Sequence, residues 1–200
     1  MTQSTMTKYD FTDVISYYND ELVKAGKVYN SGTNQGGKVR GINGKLYETI
    51  AMMICMLVNK NLVIKHNDYI KIASRSGLYF IKKQVDLHVY LRDELVLIIE
   101  CKTYLDNSML DRAISNFKLI RRHVKLTTDK VLPAVVFTGQ KCINDETFMF
   151  NKEEEPFDQF VVNSTPNRNS KLPLHKTLDP LNVNMLTQFA DYVYNIVGNS

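Results

Sequence analysis

The chain has 200 residues, of which 44% are hydrophobic and 23% are charged, as in globular proteins rather than disordered or fibrous ones. The net charge of +4 is compatible with a polyanionic partner but is not diagnostic of one. Two hundred residues predict one domain, 1–200, and the three cysteines lack metal-ligand spacing, which argues against a zinc site and favours a reducing, cytoplasmic location. No apolar run reaches 18 residues, so we expect no membrane partner.

The chain begins with a predicted helix and a polar loop. Apolar residues three and four apart predict a helix over residues 11–29. Residues 30–44 are rich in glycine and polar side chains, which predicts a loop. This loop is either a surface connector or a flexible segment that contacts nucleic acid through Lys38, Arg40 and Asn43.

A second helix is predicted over residues 45–58, with Asn43 as its N-cap. This helix is apolar almost all round, so we expect it to be buried. Glu48 is the exception within it. The glutamate is either a first-turn acid favoured by the helix dipole or an acid that serves a functional site.

Short strands are predicted next, over residues 61–66, 69–73 and 78–81. Lys82 and Lys83 follow the last of them. These two lysines either face solvent or steer the backbone of a nucleic acid.

The segment from Gln84 to Lys102 predicts a β-hairpin with its turn on Asp93, because two apolar runs flank a polar centre. Counting outward from the turn places Asp86 opposite Glu100 and Gln84 opposite Lys102. Side chains alternate between the two faces of a strand. One predicted face, which we expect to open into a cleft, carries Gln84, Asp86, His88, Tyr90, Val96, Ile98, Glu100 and Lys102. The other face needs a covering layer and carries Val85, Leu87, Val89, Leu91, Leu95, Leu97, Ile99 and Cys101.

The opposed carboxylates of Asp86 and Glu100 need an explanation, because like charges across two strands destabilise a hairpin. A divalent cation between them would remove the conflict, and Mg²⁺ is commonly held by one or two carboxylates with water and phosphate. Lys102 leaves the strand on the same side and could assist a metal-bound water or a phosphate. The alternative is a purely structural ion triad in which Lys102 neutralises both acids.

The remaining segments predict a helix over 108–124, a strand over 130–138 parallel to the Glu100 strand, a strand over 157–162 and a helix over 182–197. The acidic run at 153–156 is typical of a solvated turn. This order of elements predicts an α/β protein, a three-layer α/β/α sandwich around a mixed sheet. Residues 44–138 would form its core, and residues 139–200 would serve recognition or dimerisation.

The pattern of Asp86 followed by Glu100-Cys101-Lys102 after an apolar strand resembles the PD-(D/E)XK motif of a nuclease superfamily that includes type II restriction endonucleases. Val85 stands where the motif has proline. The resemblance implies a restriction-endonuclease-like fold with Mg²⁺ held by Asp86, Glu100 and the backbone carbonyl of Cys101. It further implies that Lys102 assists the attacking water and that Glu48 supports the site.

The function that the resemblance implies is Mg²⁺-dependent, sequence-specific cleavage of double-stranded DNA by a homodimer, as in type II restriction enzymes. A two-fold dimer would match a palindromic site and cut both strands. Two alternatives stay open. One is a DNA repair or junction-resolving nuclease, and the other is a non-catalytic nucleic-acid-binding module on the same fold.

Overall fold

The computed structural model describes residues 8–32, 36–74, 76–125, 131–166 and 173–198. The helices in these ranges are α1 (Thr12–Asn30), α2 (Gly36–Val58), α3 (Asn107–Lys125), α4 (Asp145–Glu154), α5 (Leu174–Thr177) and α6 (Val183–Val197). The strands are β1 (Val63–His66), β2 (Ile70–Ala73), β3 (Phe80–Lys83), β4 (Leu87–Leu91), β5 (Glu94–Leu105), β6 (Ala134–Lys141) and β7 (Asp158–Val161).

Five strands form one mixed sheet in the order β1-β4-β5-β6-β7. The pairs β1–β4 and β4–β5 are antiparallel, whereas β5–β6 and β6–β7 are parallel. Strands β2 and β3 stand apart from this sheet as a separate antiparallel hairpin. Helix α3 crosses between β5 and β6, which makes their parallel pairing possible. The predicted three-layer α/β/α architecture around a mixed sheet is confirmed.

Two hydrophobic cores lie on opposite faces of the sheet. The first core packs α1, α2 and α6 on one face, with Tyr18, Tyr47 and Phe189 among its largest buried side chains. The second core packs α3 on the other face around Phe117 and Ile98. Both faces are therefore covered, as in other three-layer α/β folds.

The prediction that the His88 face of the hairpin opens into a cleft is wrong along most of its length. His88 and Ile98 are fully buried, because the second core covers this face. Val85 was predicted to lie with Leu87 on the opposite face, but it packs in the same second core as Ile98. Val85 precedes the first residue of β4, so strand alternation does not apply to it.

The hairpin of β4 and β5 has a bulge that the sequence pattern did not predict. Arg92 and Asp93 both have positive φ, +50° and +65°, and close a two-residue turn in which Leu91 pairs with Glu94. The register shifts by one residue between Val89 and Tyr90. Beyond this shift, Leu87 pairs with Ile99, which is the register predicted for the Asp86 end.

The bulge exchanges the faces of two residues near the turn. Tyr90 pairs with Leu95, not with Val96, so Leu95 packs against the second core. Val96 packs against the first core, with Leu97. The faces predicted for Val96 and Leu95 are therefore wrong, because one extra residue in a strand reverses the alternation locally.

Helix α2 begins at Gly36, so most of the loop predicted over residues 30–44 is helical, and residues 33–35 lie outside the described ranges. Asn43 lies inside the helix and is not its N-cap. Glycine costs about 1 kcal/mol relative to alanine in a helix, but packing routinely overrides propensity. Here Val39 is 5% exposed, and the Asn43 carbonyl accepts a hydrogen bond from Thr103 Oγ1 at 2.9 Å.

The acidic run at 153–156 is not a solvated turn. Glu153 and Glu154 end helix α4, and Glu155 forms an ion pair with Arg121 of α3 at 2.8 Å. Both partners of this pair are largely shielded from solvent, so it ties α4 to α3. Arg121 also donates to the carbonyl of Leu132 at 2.7 Å.

Helix α2 is also the one candidate membrane span among the described residues. By length and composition alone, the stretch Gly37–Val58 is long and apolar enough to cross a bilayer. Buried core helices pass the same test. Leu46, Tyr47, Ile50 and Ile54 in this stretch are fully buried inside the first core.

Candidate active site

The ends of β4 and β5 bring Asp86, Glu100 and Lys102 together. Asp86 comes one residue before β4, and Glu100 and Lys102 lie in β5. Because Leu87 pairs with Ile99, the residue before Leu87 lies beside Glu100. Lys102 Nζ lies 2.7 Å from Glu100 Oε1 and donates to Asp86 Oδ2 at 3.1 Å. The three residues that the sequence singled out therefore share one site.

Two hydrogen bonds hold Asp86 in place, one to its carboxylate and one to its backbone carbonyl. Its carboxylate accepts a hydrogen bond from the backbone N–H of Cys101 at 2.7 Å, and its own carbonyl accepts one from the N–H of Asn67 at 3.0 Å. The Gln84 amide donates to the side-chain oxygen of Asn67 at 2.9 Å. In turn Asn116 of α3 donates to the Gln84 carbonyl at 3.0 Å. Helix α3 thus fixes the segment that leads into Asp86.

Glu100 is the most buried charged group of the site. The residue is 5% exposed, and within the described ranges its Oε2 atom has no hydrogen-bond partner. Burial raises the pKa of Glu100 and the charge of Asp86 raises it further, while Lys102 and a hydrogen bond from the backbone N–H of Asp86 act in the opposite direction. An ionised carboxylate with one bare, buried oxygen is costly unless something else occupies that oxygen.

Lys102 carries its proton in this arrangement. Burial alone would lower the pKa of the Lys102 ammonium, but Glu100 and Asp86 outweigh that effect and raise it above its ordinary value. The ammonium also donates to the Cys101 carbonyl at 2.9 Å. That carbonyl is the predicted backbone metal ligand, and in this arrangement Lys102 occupies it.

A divalent cation fits this donor set. Two carboxylates face a single ammonium, and one buried oxygen is left without a partner. Among the described residues no three His, Cys, Asp or Glu side chains are grouped so that they could hold a metal. Mg²⁺ does not need such a group, because it is commonly bound through one or two carboxylates plus water and substrate phosphate.

Glu48 lies at the same end of the sheet but is bound to another partner. Because α2 begins at Gly36, Glu48 lies well inside the helix, and its interpretation as a first-turn acid is wrong. Its carboxylate contacts Nε2 of His66, the last residue of β1. His66 pairs with Leu87, next to Asp86. The charge of Glu48 also acts on the buried thiol of Cys101, whose pKa is raised chiefly by burial.

Sequence reasoning missed His66 and Asn67. His66 is the last residue of β1 and Asn67 follows it, and the register of β1 against β4 brings both beside Asp86. A signal was present, since the apolar run Leu62-Val63-Ile64 ends in a cluster of polar side chains. Only the pairing of β1 with β4, which the sequence did not predict, shows that this cluster belongs to the site.

The residues predicted to contact nucleic acid lie on different elements. Lys38 is exposed near the start of α2, and the side chain of Arg40 lies outside the described part of the chain. Asn43 is half-buried, and its Oδ1 atom is buried with no hydrogen-bond partner in the part of the chain that the structure describes. Lys82 is exposed on β3, whereas Lys83 beside it is half-buried. Their roles in binding stay predictions.

Comparisons with known proteins give little about this chain. No protein-family model matches it, and no curated protein matches it. Among solved structures it is similar to P. aeruginosa ATCC27853 NucC in its cAAA-bound form, with 12% identity, a TM-score of 0.49, and coverage of 92% of this chain and 100% of that one. It is also similar to protein VC1899 from Vibrio cholerae, with 14% identity, a TM-score of 0.47, and coverage of 90% of this chain and 52% of that one. What this chain does is therefore inferred from its own residues.

Proposed function

We propose that this chain is a Mg²⁺-dependent DNA endonuclease that hydrolyses phosphodiester bonds at the site of Asp86, Glu100 and Lys102. The observation that carries the proposal is the buried, unpartnered Oε2 of Glu100 beside a second carboxylate. A structural ion triad leaves this oxygen unexplained, whereas a bound cation would use it.

Asp86 and Glu100 would hold the metal, together with the Cys101 carbonyl if Lys102 moves away from it. When bound, Mg²⁺ supplies positive charge to the phosphate and lowers the pKa of a coordinated water. Lys102 is protonated in the resting site, so its side chain would act first as a positive hydrogen-bond donor to the phosphate oxygens. Glu48 would orient the His66 ring at the edge of the site.

The finer part of the proposal is a homodimeric, sequence-specific enzyme of the type II restriction class that acts in the cytoplasm. Its support is the motif resemblance. Cys55, Cys101 and Cys142 form no disulfide within the described part of the chain, which is compatible with a reducing compartment. Residues 139–200 would contribute to recognition or dimerisation.

A non-catalytic binding module is the competing function, because Lys102 already bridges both acids. Incubation of the purified protein with phage DNA and Mg²⁺ separates the two. Discrete bands would indicate a sequence-specific enzyme, and a smear would indicate a non-specific or repair nuclease. DNA binding with no cleavage in Mg²⁺ or Mn²⁺ would overturn the nuclease proposal.

The metal dependence has its own variant test. We expect Glu100→Gln to abolish cleavage and, without metal, to melt no lower than the wild type, because the substitution removes a buried charge. At ten times its Kd, Mg²⁺ stabilises a protein by about 1.4 kcal/mol, or roughly 3–6 °C at this chain length. The wild type should show this rise and Glu100→Gln should lose it.

The matched control is Asp93→Asn, at the opposite end of the same hairpin. Asp93 is exposed and has φ of +65°, a conformation that asparagine also tolerates. This variant should cleave and respond to Mg²⁺ as the wild type does. An equal Mg²⁺ response in wild type and Glu100→Gln would contradict the assignment of Glu100 as a ligand.

A further inference from the structure

The hairpin of β2 and β3 is built differently from the rest of the molecule. We call residues 69–83 the arm; Arg75 within it lies outside the described part of the chain. The arm's two strands pair only with each other. Ile72 is 2% exposed and packs in the second core, so one face of the arm is anchored beside α3.

The outer face of the arm interleaves lysines with aromatic rings. Lys71 pairs directly with Lys82 in the register, and Ala73 pairs with Phe80, so these four residues share the face that points away from Ile72. Lys71 Nζ lies 4.1 Å above the Phe80 ring, and Lys82 Nζ lies 5.8 Å from the Tyr69 ring. Both rings and both lysines are exposed.

The arm holds the whole excess charge of the chain. Residues 69–83 contain four cationic residues and no Asp or Glu, and the net charge of the 200 residues is +4. The other residues are therefore balanced in charge. Two lysines directly opposed across a strand pair repel each other. This conflict is relieved when an anion lies on the outer face.

The tip of the arm exposes two large apolar side chains. Leu78 is 75% exposed and Tyr79 is 74% exposed. The turn that carries them is ordered by backbone hydrogen bonds, from Ser74 N–H to the Tyr79 carbonyl at 2.7 Å and from Gly77 N–H to the Ser74 carbonyl at 3.0 Å. Two neighbouring large apolar side chains this exposed are typical of a surface that contacts a partner.

The root of the arm leads directly into the candidate active site. Only Gln84 and Val85 separate Lys83 from Asp86. Val85 is buried and Gln84 is hydrogen-bonded to Asn67 and Asn116, so this link is fixed. A polyanion bound along the arm would consequently extend towards Asp86.

We propose that the arm binds duplex DNA: Lys71 and Lys82 contact backbone phosphates, and Leu78 and Tyr79 enter the minor groove as an apolar wedge. The proposal rests on the proposed nuclease function, which it deepens by naming the surface that holds the substrate. Minor-groove proteins often insert apolar side chains between base steps and contact the flanking phosphates with cations. A second copy of the chain is a poorer occupant, because two copies of this lysine-bearing face would repel each other.

The test is equilibrium binding of a 30-base-pair duplex in EDTA at several salt concentrations, with full-length protein. Lys71→Ala combined with Lys82→Ala should reduce the slope of log K against log salt by about 1.8, or roughly 0.9 for each phosphate that is no longer neutralised. The matched control is Lys8→Ala combined with Lys24→Ala. Both lysines are exposed on the α1 side of the sheet, and Lys8 also lies over a tyrosine ring, that of Tyr194, at 3.9 Å. The control should leave the slope unchanged.

The tip is tested separately with Leu78→Ser combined with Tyr79→Ser. Because both side chains are exposed, the variant should fold normally, which its melting temperature would verify. We expect affinity to fall about tenfold at every salt concentration with the slope preserved, since the lysines still neutralise the same phosphates. Light scattering on the same samples reports whether the tip joins two copies of the chain.

Each outcome decides the proposal. Equal slopes for the arm variant and the control would overturn the phosphate contacts, and loss of a dimer with unchanged DNA affinity in the tip variant would assign the tip to a second copy. If the wild type cleaves DNA but the arm variant keeps the wild-type salt slope, only the arm proposal is refuted. If the wild type never cleaves DNA but the arm variant has a lower salt slope, only the nuclease proposal is refuted.

Discussion

Lys102 is the residue whose substitution separates catalysis from binding most sharply. Its ammonium contacts both Glu100 and Asp86 and is protonated at neutral pH. If it stabilises charge that develops on the phosphate, its contribution arises mainly in the transition state. We expect Lys102→Ala to reduce single-turnover cleavage by roughly a hundredfold or more while DNA affinity falls much less.

The Lys102 experiment needs two comparisons. Lys102→Arg should restore little activity, because a planar guanidinium differs in shape from the compact ammonium. Lys60→Ala, an exposed lysine before β1, should behave as the wild type. If Lys102→Ala lowered turnover and affinity by the same factor, the residue would be a uniform binding contact rather than a catalytic one.

The Glu48–His66 contact gives a second prediction at the residue scale. If Glu48 acts by orienting the His66 ring beside Asp86, removing either partner removes the same effect. Glu48→Gln and His66→Ala should each slow cleavage about tenfold, and the double variant should be hardly slower than either single one. Single-turnover rates of the wild type, the two single variants and the double variant complete the double-mutant cycle. Additive losses in the double variant would show that the two residues act independently.

At the scale of elements, the hairpin shows what sequence could predict. Alternation is a local property, so the joint face of Glu100 and Lys102 followed from counting. The predicted place of Asp86 beside Glu100 also holds, because the extra residue of the bulge offsets the difference between the predicted turn and the two-residue turn. The bulge itself did not follow from counting. It follows from a two-residue turn at Arg92 and Asp93, whose backbone conformation the polar run alone did not specify.

The start of α2 and the role of His66 could not be predicted because both depend on partners distant in sequence. The glycine-rich segment favours a loop locally, yet Val39 is buried and the Asn43 carbonyl accepts a bond from Thr103 in β5. Similarly, His66 reaches the site only through the pairing of β1 with β4. Tertiary contacts of this kind outweigh local propensity.

The packing of β6 against α2 leads to a stability prediction. Gly139 of β6 lies so close to α2 that an added Cβ would meet the ring and hydroxyl of Tyr47 and would lie 2.7 Å from the Thr103 carbonyl. Tyr47 cannot move easily, because its hydroxyl donates to buried Asn163 at 2.8 Å. We expect Gly139→Ala to cost about 2–3 kcal/mol, a fall of roughly 4–12 °C in the melting temperature.

The control for this substitution is Gly41→Ala in α2. Gly41 is an exposed helical glycine with nothing within 4 Å of its added Cβ, so the helix should gain up to about 1 kcal/mol. Thermal melts of the two variants should therefore shift in opposite directions. A Gly139→Ala protein as stable as the wild type would mean that β6 and α2 can separate at no cost in stability.

At the scale of the whole molecule, each side of the sheet contains one buried histidine. His88 lies in β4 on the side of the second core and is fully buried, and His175 of α5 is 6% exposed beside Tyr29 of α1. Among the described residues, neither imidazole has a hydrogen-bond partner. Burial lowers the pKa of both. The charge of Asp68 partly opposes this on His88, where Lys65 acts with burial, and Lys176 acts with burial on His175.

These two histidines predict that the free energy of unfolding falls in mild acid. A folded-state pKa below the ordinary value of 6.5 means that the unfolded chain binds protons more readily. The two histidines contribute fully to stability above pH 6.5. This contribution is lost as the pH falls from 6.5 towards their folded-state pKa. Melting curves in EDTA between pH 7.5 and 5.5 should show the decline, with each 1 kcal/mol lost appearing as about 2–4 °C.

His88→Leu should make the decline shallower, because an apolar side chain there has no proton to bind, while His123→Gln on the partly exposed face of α3 should not. An equally steep decline in His88→Leu and the wild type would show that His88 is not responsible.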